Sequence, residues 1–198
     1  MHFRYLGLLA AAFLLGVAGL SAADQKPPVT PNVVDETGTV KGNYQEVAEL
    51  QANLVEFEDE THIKIFVQYH AKSPPEAEDA HPGDYMRALS TKLGLIKNGI
   101  LMVHFADDPD WRVWIGDDLT PRFVGKPGTA KDFTESGAMH EAKEALLKSA
   151  MKDAADAYAG MHAPAPDPKD PHNLYWHIYL RLQTSALIDA LKAKFNTP

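Results

Sequence analysis

The segment Asn98–Gly116, NGILMVHFADDPDWRVWIG, constrains the fold more than any other stretch of this chain. Two apolar runs, Ile100–Phe105 and Trp111–Ile115, flank Ala106–Asp110, a polar turn rich in Asp and containing Pro109. A connection this short suits a β-hairpin, so the two runs are expected to be antiparallel neighbours. The first run has almost no polar alternation, which marks a strand covered on both faces, as in a layered α/β domain. Asn98-Gly99 ahead of it marks a backbone position expected to need positive φ.

The flanking segments supply the covering layers. Val47, Leu50, Leu54 and Phe57 recur at helical spacing, predicting an amphipathic helix over 44–61, and Asn43 with Glu46 forms a capping-box-like start. Ile63–Tyr69, rich in branched and aromatic residues, reads as a strand. Ser73–Pro82 reads as a loop, and Asp84–Leu93 as a helix turning Tyr85, Met86, Leu89 and Leu93 to the core. Asp117–Lys131, with Gly and Pro, reads as a loop. From about Asp132 to Ala159 the pattern is one long alanine-rich helix with Met139, Ala142, Leu146, Ala150, Ala154 and Tyr158 inward. Pro164, Pro166, Pro168 and Pro171 end it, making 161–173 a stiff linker. The remainder, 174–198, holds a helix whose broad face, Leu174, Ile178, Leu182, Leu187, Leu191 and Phe195, must be buried against the main domain or a partner. The expected fold class is α/β, a three-layer α/β/α sandwich with a short mixed sheet including a β-hairpin, plus an added C-terminal helix.

The chain has 198 residues and is 45% hydrophobic, enough for a single globular domain with a sizeable core, read over 32–160. Residues 1–23 read as a secretory signal peptide: a positive start, an apolar run shorter than the ~20 residues of a bilayer span, and Ser21-Ala22-Ala23 as a cleavage site. Residues 24–31, with Pro27, Pro28 and Pro31, read as a flexible leader. The protein is therefore expected to be exported, to the periplasm or outside the cell, with no membrane span in the mature chain. There is no cysteine, which excludes disulfides, thiolate metal sites and a cysteine nucleophile. The net charge is −8 and no Lys/Arg cluster occurs, which argues against nucleic acid as a partner. The oligomeric state is left open.

Four words in order, VVDETGTV, THIKIFVQY, NGILMVHF and WRVWIG, resemble the TPM domain family, proteins of the thylakoid lumen and bacterial envelope often labelled TPM phosphatases. The resemblance runs from about Val33 to Tyr158. It implies an α/β/α sandwich, weak acid phosphatase activity and a bound calcium ion in some members, and upkeep or assembly of membrane complexes in others. Two words depart from the family pattern. Lys97 stands where the family has Asp before its Asn-Gly, and Gly116-Asp117-Asp118-Leu119-Thr120 replaces Gly-x-Gly-Leu-Glu.

On such a fold Asp35, Asn98, Asp117 and Asp118 could meet at one edge of the sheet. Carboxylates with an amide oxygen suit a hard cation, Ca²⁺ or Mg²⁺; the alternative is ordinary turn chemistry, in which Asp and Asn bond their own backbone. Asp107, Asp108 and Asp110 read as the hairpin turn. Arg112 is read either as a grip for phosphate or as a structural group paired with a nearby Asp or stacked on Trp114. No HExxH occurs among the nine histidines, and His104, inside an apolar strand, is expected to be a hydrogen-bonded core residue. The leading expectation is a non-catalytic or weakly active envelope module binding a divalent cation and/or a partner protein. The alternative is a metal-dependent acid phosphatase at the same edge, with Asp117, Asp118 and Arg112 as candidate catalytic residues and Asp or a metal-bound water as nucleophile.

Overall fold

In a computed structural model, residues 32–38, 44–81, 83–170 and 173–196 are described. The signal peptide and leader expectations, the Asn43 cap and Pro171 lie outside the described residues. Four strands, β1 (Val33–Asp35), β2 (Lys64–His70), β3 (Gly99–Phe105) and β4 (Trp111–Ile115), form one sheet in that spatial order. The first three run parallel, with Asp35 level with Tyr69 and Tyr69 level with His104. The hairpin returns β4 antiparallel, Trp111 opposite His104 and Ile115 opposite Ile100. Every residue of β3 is buried, as its unbroken apolar run requires.

Helices cover both faces, giving an α/β fold of three layers. Alternation sends Ile65, Val67, Tyr69, Ile100, Met102, Val113 and Ile115 to one face. There they meet α1 (Tyr44–Thr61) through Leu54 and Phe57, α5 (Ala138–Gly160) through Leu146 and Ala150, and α6 (Leu174–Asn196) through Leu180, Leu187, Ile188, Leu191 and Phe195. Phe66, Leu101, Val103, Phe105 and Trp114 point to the other face, where α2 (Asp84–Lys92) supplies Met86, with Leu95 from the following loop.

The C-terminal helix is thus part of the core. The Trp111 indole donates to Gln183 Oε1 at 3.1 Å and the Tyr69 hydroxyl bonds Thr184 Oγ1 at 2.7 Å, so the middle of α6 is fixed to the sheet by polar as well as apolar contacts. Leu187, Leu191 and Phe195 of its expected face are buried, and the rest of the buried face differs from the expected one. Leu174 is 63% exposed, whereas Trp176, Leu180, Thr184 and Ile188 are buried. The helix rests on the sheet and on α1 and α5 together, so the buried arc is wider than a single leucine row.

Three further expectations are corrected. The long alanine-rich helix is two: α4 (Ala130–Glu135) and α5, separated at Gly137, whose φ of 79° breaks the helix. The loop over 117–131 contains a 3-10 turn at Asp117–Leu119, then α3 (Thr120–Val124), with Pro121 in its first turn, and the start of α4. Gly99 does not take positive φ. It is needed for space, because a Cβ there would lie 2.5 Å from a Leu95 side-chain carbon.

Candidate functional site

The strand directions decide which predicted residues can meet. Asp35 ends β1 at the level of Tyr69, His104 and Trp111. Asn98 precedes β3 and Asp117 follows β4, both at the opposite end of the sheet. Five residues of strand separate the two levels, roughly 17 Å at the usual rise, far more than one ion with bonds near 2.5 Å can bridge. The expected cluster of four is therefore corrected: Asn98, Asp117 and Asp118 share an end, and Asp35 does not. The topological reason is that β1 is parallel to β3 while β4 is antiparallel to it.

Asp35 has a local task. Its Oδ1 accepts the Thr37 and Gly38 backbone N–H groups, each at 3.0 Å, and the Thr37 hydroxyl at 2.6 Å, the turn chemistry its sequence allowed. Asn98 Nδ2 donates to the His62 carbonyl at 2.7 Å, closing the loop ahead of β3. The loop after β4 is bonded to that same loop: Asp117 N–H donates to Ile96 O at 2.9 Å and Asp118 N–H to Lys97 O at 3.0 Å. Gly116 permits this approach, since a Cβ there would stand 2.3 Å from the Lys97 carbonyl oxygen. Among the described residues, no three His, Asp or Glu side chains gather closely enough to hold a metal ion.

In the hairpin turn, Asp107 Oδ1 accepts both the backbone N–H and the hydroxyl of Ser73, which hold its carboxyl below the usual carboxylate range although burial opposes them. Arg112 pairs with Asp79 at 2.6 Å and stacks 4.9 Å from the Phe105 ring centre, not on Trp114. His104 is 1% exposed, among Trp111, Trp176 and Tyr69, and its Nε2 has no hydrogen-bond partner. This corrects the expected hydrogen-bonded core histidine at that atom. Burial pushes its pKa down to about 4, so the ring is neutral.

Two of the three catalytic candidates, Arg112 and Asp117, line one cleft of about 470 Å³ beside β4, but from opposite ends of that strand. Its other chemically distinctive lining residues are Arg87 from α2, Trp114 from β4, and His140 and Lys143 from α5. The Arg87 guanidinium lies 4.9 Å and the Lys143 ammonium 5.7 Å from the Trp114 ring centre. Lys143 extends from a helix whose Leu146 and Ala150 pack on the opposite face, so α5 flanks the sheet at its β4 edge. Burial pushes the Lys143 ammonium down to about 8. Asp118 is exposed and does not line this cleft.

Sequence reasoning passed over Arg87, Lys143 and Trp114 as site residues. One signal was present: Lys143 falls four residues after Met139 and three before Leu146, a cation on the apolar stripe of its helix.

No protein-family model matches the chain, and no curated protein matches it. Among solved structures, the chain is similar to the N-terminal domain of the cg2496 protein from Corynebacterium glutamicum, determined by solution NMR, at 14% identity and a TM-score of 0.41, over 83% of this chain and 85% of that one.

Proposed function

We propose that this chain is an exported TPM-type envelope module that acts by binding, with weak or no turnover, and that its working edge is the end of the sheet carrying Asn98, Asp117 and Asp118. The observation that carries this reading is the backbone bonding of the 96–97 loop to the 117–118 loop, which brings the chain at Asn98, Asp117 and Asp118 to one end of the sheet. Oxygen ligands on a fixed rim suit Ca²⁺ or Mg²⁺, and the same rim would present acidic groups to a partner protein.

The test is thermal unfolding of the full chain in chelator and then in millimolar Ca²⁺ or Mg²⁺. A cation that binds only the folded state adds ~2.7 kcal/mol at a hundred times its dissociation constant. The shift should vanish in Asp117→Ala and Asp118→Ala. A midpoint unmoved by either ion removes the cation from this proposal and leaves the partner protein.

A second reading, a metal-dependent phosphomonoesterase, is favoured by one observation: Arg112 and Asp117 line the same cleft. Hydrolysis of p-nitrophenyl phosphate that requires a divalent ion and is abolished by Asp117→Asn, with the fold intact, would replace the binding reading by this one.

A further inference from the structure

The sheet ends at β4, and the outer side of that strand is unused. Gly116 N–H donates to Gly99 O at 2.8 Å. Bonded pairs alternate along an antiparallel ladder. With Trp114 opposite Leu101 and Arg112 opposite Val103, these two residues of β4 are the ones that bond β3. Val113 and Ile115 therefore turn their N–H and C=O groups the other way, off the edge of the sheet. Neither residue forms a hydrogen bond on that side among the described residues. Both are buried, at 5% and 3% exposure. Nearly all backbone groups at buried positions are paired in folded proteins, so an edge of this kind is a template for another strand.

The cleft of about 470 Å³ runs along this edge. Arg112, Val113, Trp114 and Ile115, four consecutive residues of β4, line it. Its walls are α2, through Met86 and Arg87, and α5, through Met139 and Lys143. Neither helix supplies a backbone partner to the strand. Two N–H and two C=O groups alternating at the strand repeat are what a second extended backbone pairs with. The helices on both sides leave room for one strand and stand in the way of a second sheet.

Charge narrows the strand that fits. On the α2 side, an added side chain lies beside Trp114, whose ring centre has the Arg87 guanidinium at 4.9 Å and the Lys143 ammonium at 5.7 Å. A carboxylate there meets two cations, and a Lys or Arg is repelled by both. Of the acids lining the cleft, Asp117 lies past the end of β4, and Asp84 Oδ2 already accepts the His81 backbone N–H.

We infer that the β4 edge takes up an extended acidic peptide segment of a partner protein, which joins the sheet as a fifth strand through Val113 and Ile115 and sets an Asp or Glu beside Arg87 and Lys143. The contact needs no divalent ion, so it stands or falls separately from the rim and its cation.

A display library of random peptides about eight residues long, an ordinary strand length, is selected on the full chain in chelator. Enriched peptides should alternate apolar residues and carry Asp or Glu. One of them is then synthesised and its binding measured by calorimetry and by residue-resolved amide exchange. In the free protein the Val113 and Ile115 amides should exchange faster than those of Arg112 and Trp114, and the peptide should slow the first pair at least about tenfold. Val113→Pro removes one outward N–H without touching the β3 ladder and should weaken the peptide about tenfold or more. The Arg87→Glu/Lys143→Glu double variant, which leaves the β4 backbone alone, should weaken it by a similar factor. Circular dichroism establishes that each variant is folded. The inference is overturned if no peptide is enriched, if the peptide binds both variants unchanged, or if it leaves exchange at Val113 and Ile115 unaltered. It is also overturned if those two amides are already slow in the free protein and quicken on dilution, since the edge would then hold a second copy of the chain.

Discussion

The two faces of the sheet are built to different standards. On one, α1, α5 and α6 bury an extended set of aliphatic and aromatic side chains, and two strand-to-helix polar bonds, from Trp111 and Tyr69 to α6, are satisfied inside it. On the other, a nine-residue helix and its following loop do the covering, and the aromatic rings Phe66, Phe105 and Trp114 are capped by the cations Lys64, Arg112, Arg87 and Lys143. The thick face supplies stability. The thin face leaves an open cleft, an indole N–H without an acceptor among the described residues, and the half-buried Lys143 ammonium. The deeper burial thus lies on the α1, α5 and α6 side of the same four strands.

The comparison predicts a graded series of effects. The largest is on the thick face. Leu187→Ala, at a position with no exposure, should cost about 2–5 kcal/mol in chemical denaturation, and removing α6 from Leu174 onward should unfold the domain. Leu89→Ala on the thin face, partly buried, should cost less than half as much; equal losses would abolish the distinction between the faces. Next is the rim. Gly116→Ala places a methyl 2.3 Å from the Lys97 carbonyl and should cost about 1–3 kcal/mol while loosening the Asp117–Asp118 loop. Tyr69→Phe leaves Thr184 with its bond to Leu180 O and should cost about 1 kcal/mol.

His104 gives the pH dependence of the thick face. Its folded pKa is depressed from 6.5 to about 4, so between those values the unfolded chain holds the extra proton. Its contribution to stability is complete above 6.5 and is lost as the pH falls toward 4. Denaturation of the unsubstituted protein and of His104→Gln across that window should show a steeper decline in the former.

The smallest effect is the most diagnostic. Lys143→Met removes a desolvated charge from the thin face, so at neutral pH it should raise the unfolding midpoint. A lowered midpoint would make Lys143 a structural residue.

Legibility followed the range of the interactions. The hairpin, the helix over 44–61 and, to within a residue at each end, the strand read over 63–69 were legible because alternation and helical spacing are local. Helix breaks were less so: Gly137 reads as one tolerated glycine in an alanine-rich run until its φ is known. The candidate site was legible in its residue types and not in its grouping. Asp35, Asn98, Asp117 and Asp118 look equivalent as loop acids and amides, yet Asp35 spends its oxygen on Thr37 and Gly38 at one end of the sheet while the others gather at the far end.

By itself the sequence determined the class: a cysteine-free α/β chain with a central hairpin, helices to cover both sides of a sheet, and a last helix too apolar to stand in water. Tertiary structure decided what that last helix covers, that Asp35 and Asp117 lie at opposite strand ends, and that cations from α2 and α5 converge on one indole of β4. The physical reason is that side-chain periodicity is set within a few residues of backbone, whereas strand order, strand direction and the meeting of groups far apart in the chain depend on which surfaces bury one another, and no local pattern encodes that choice.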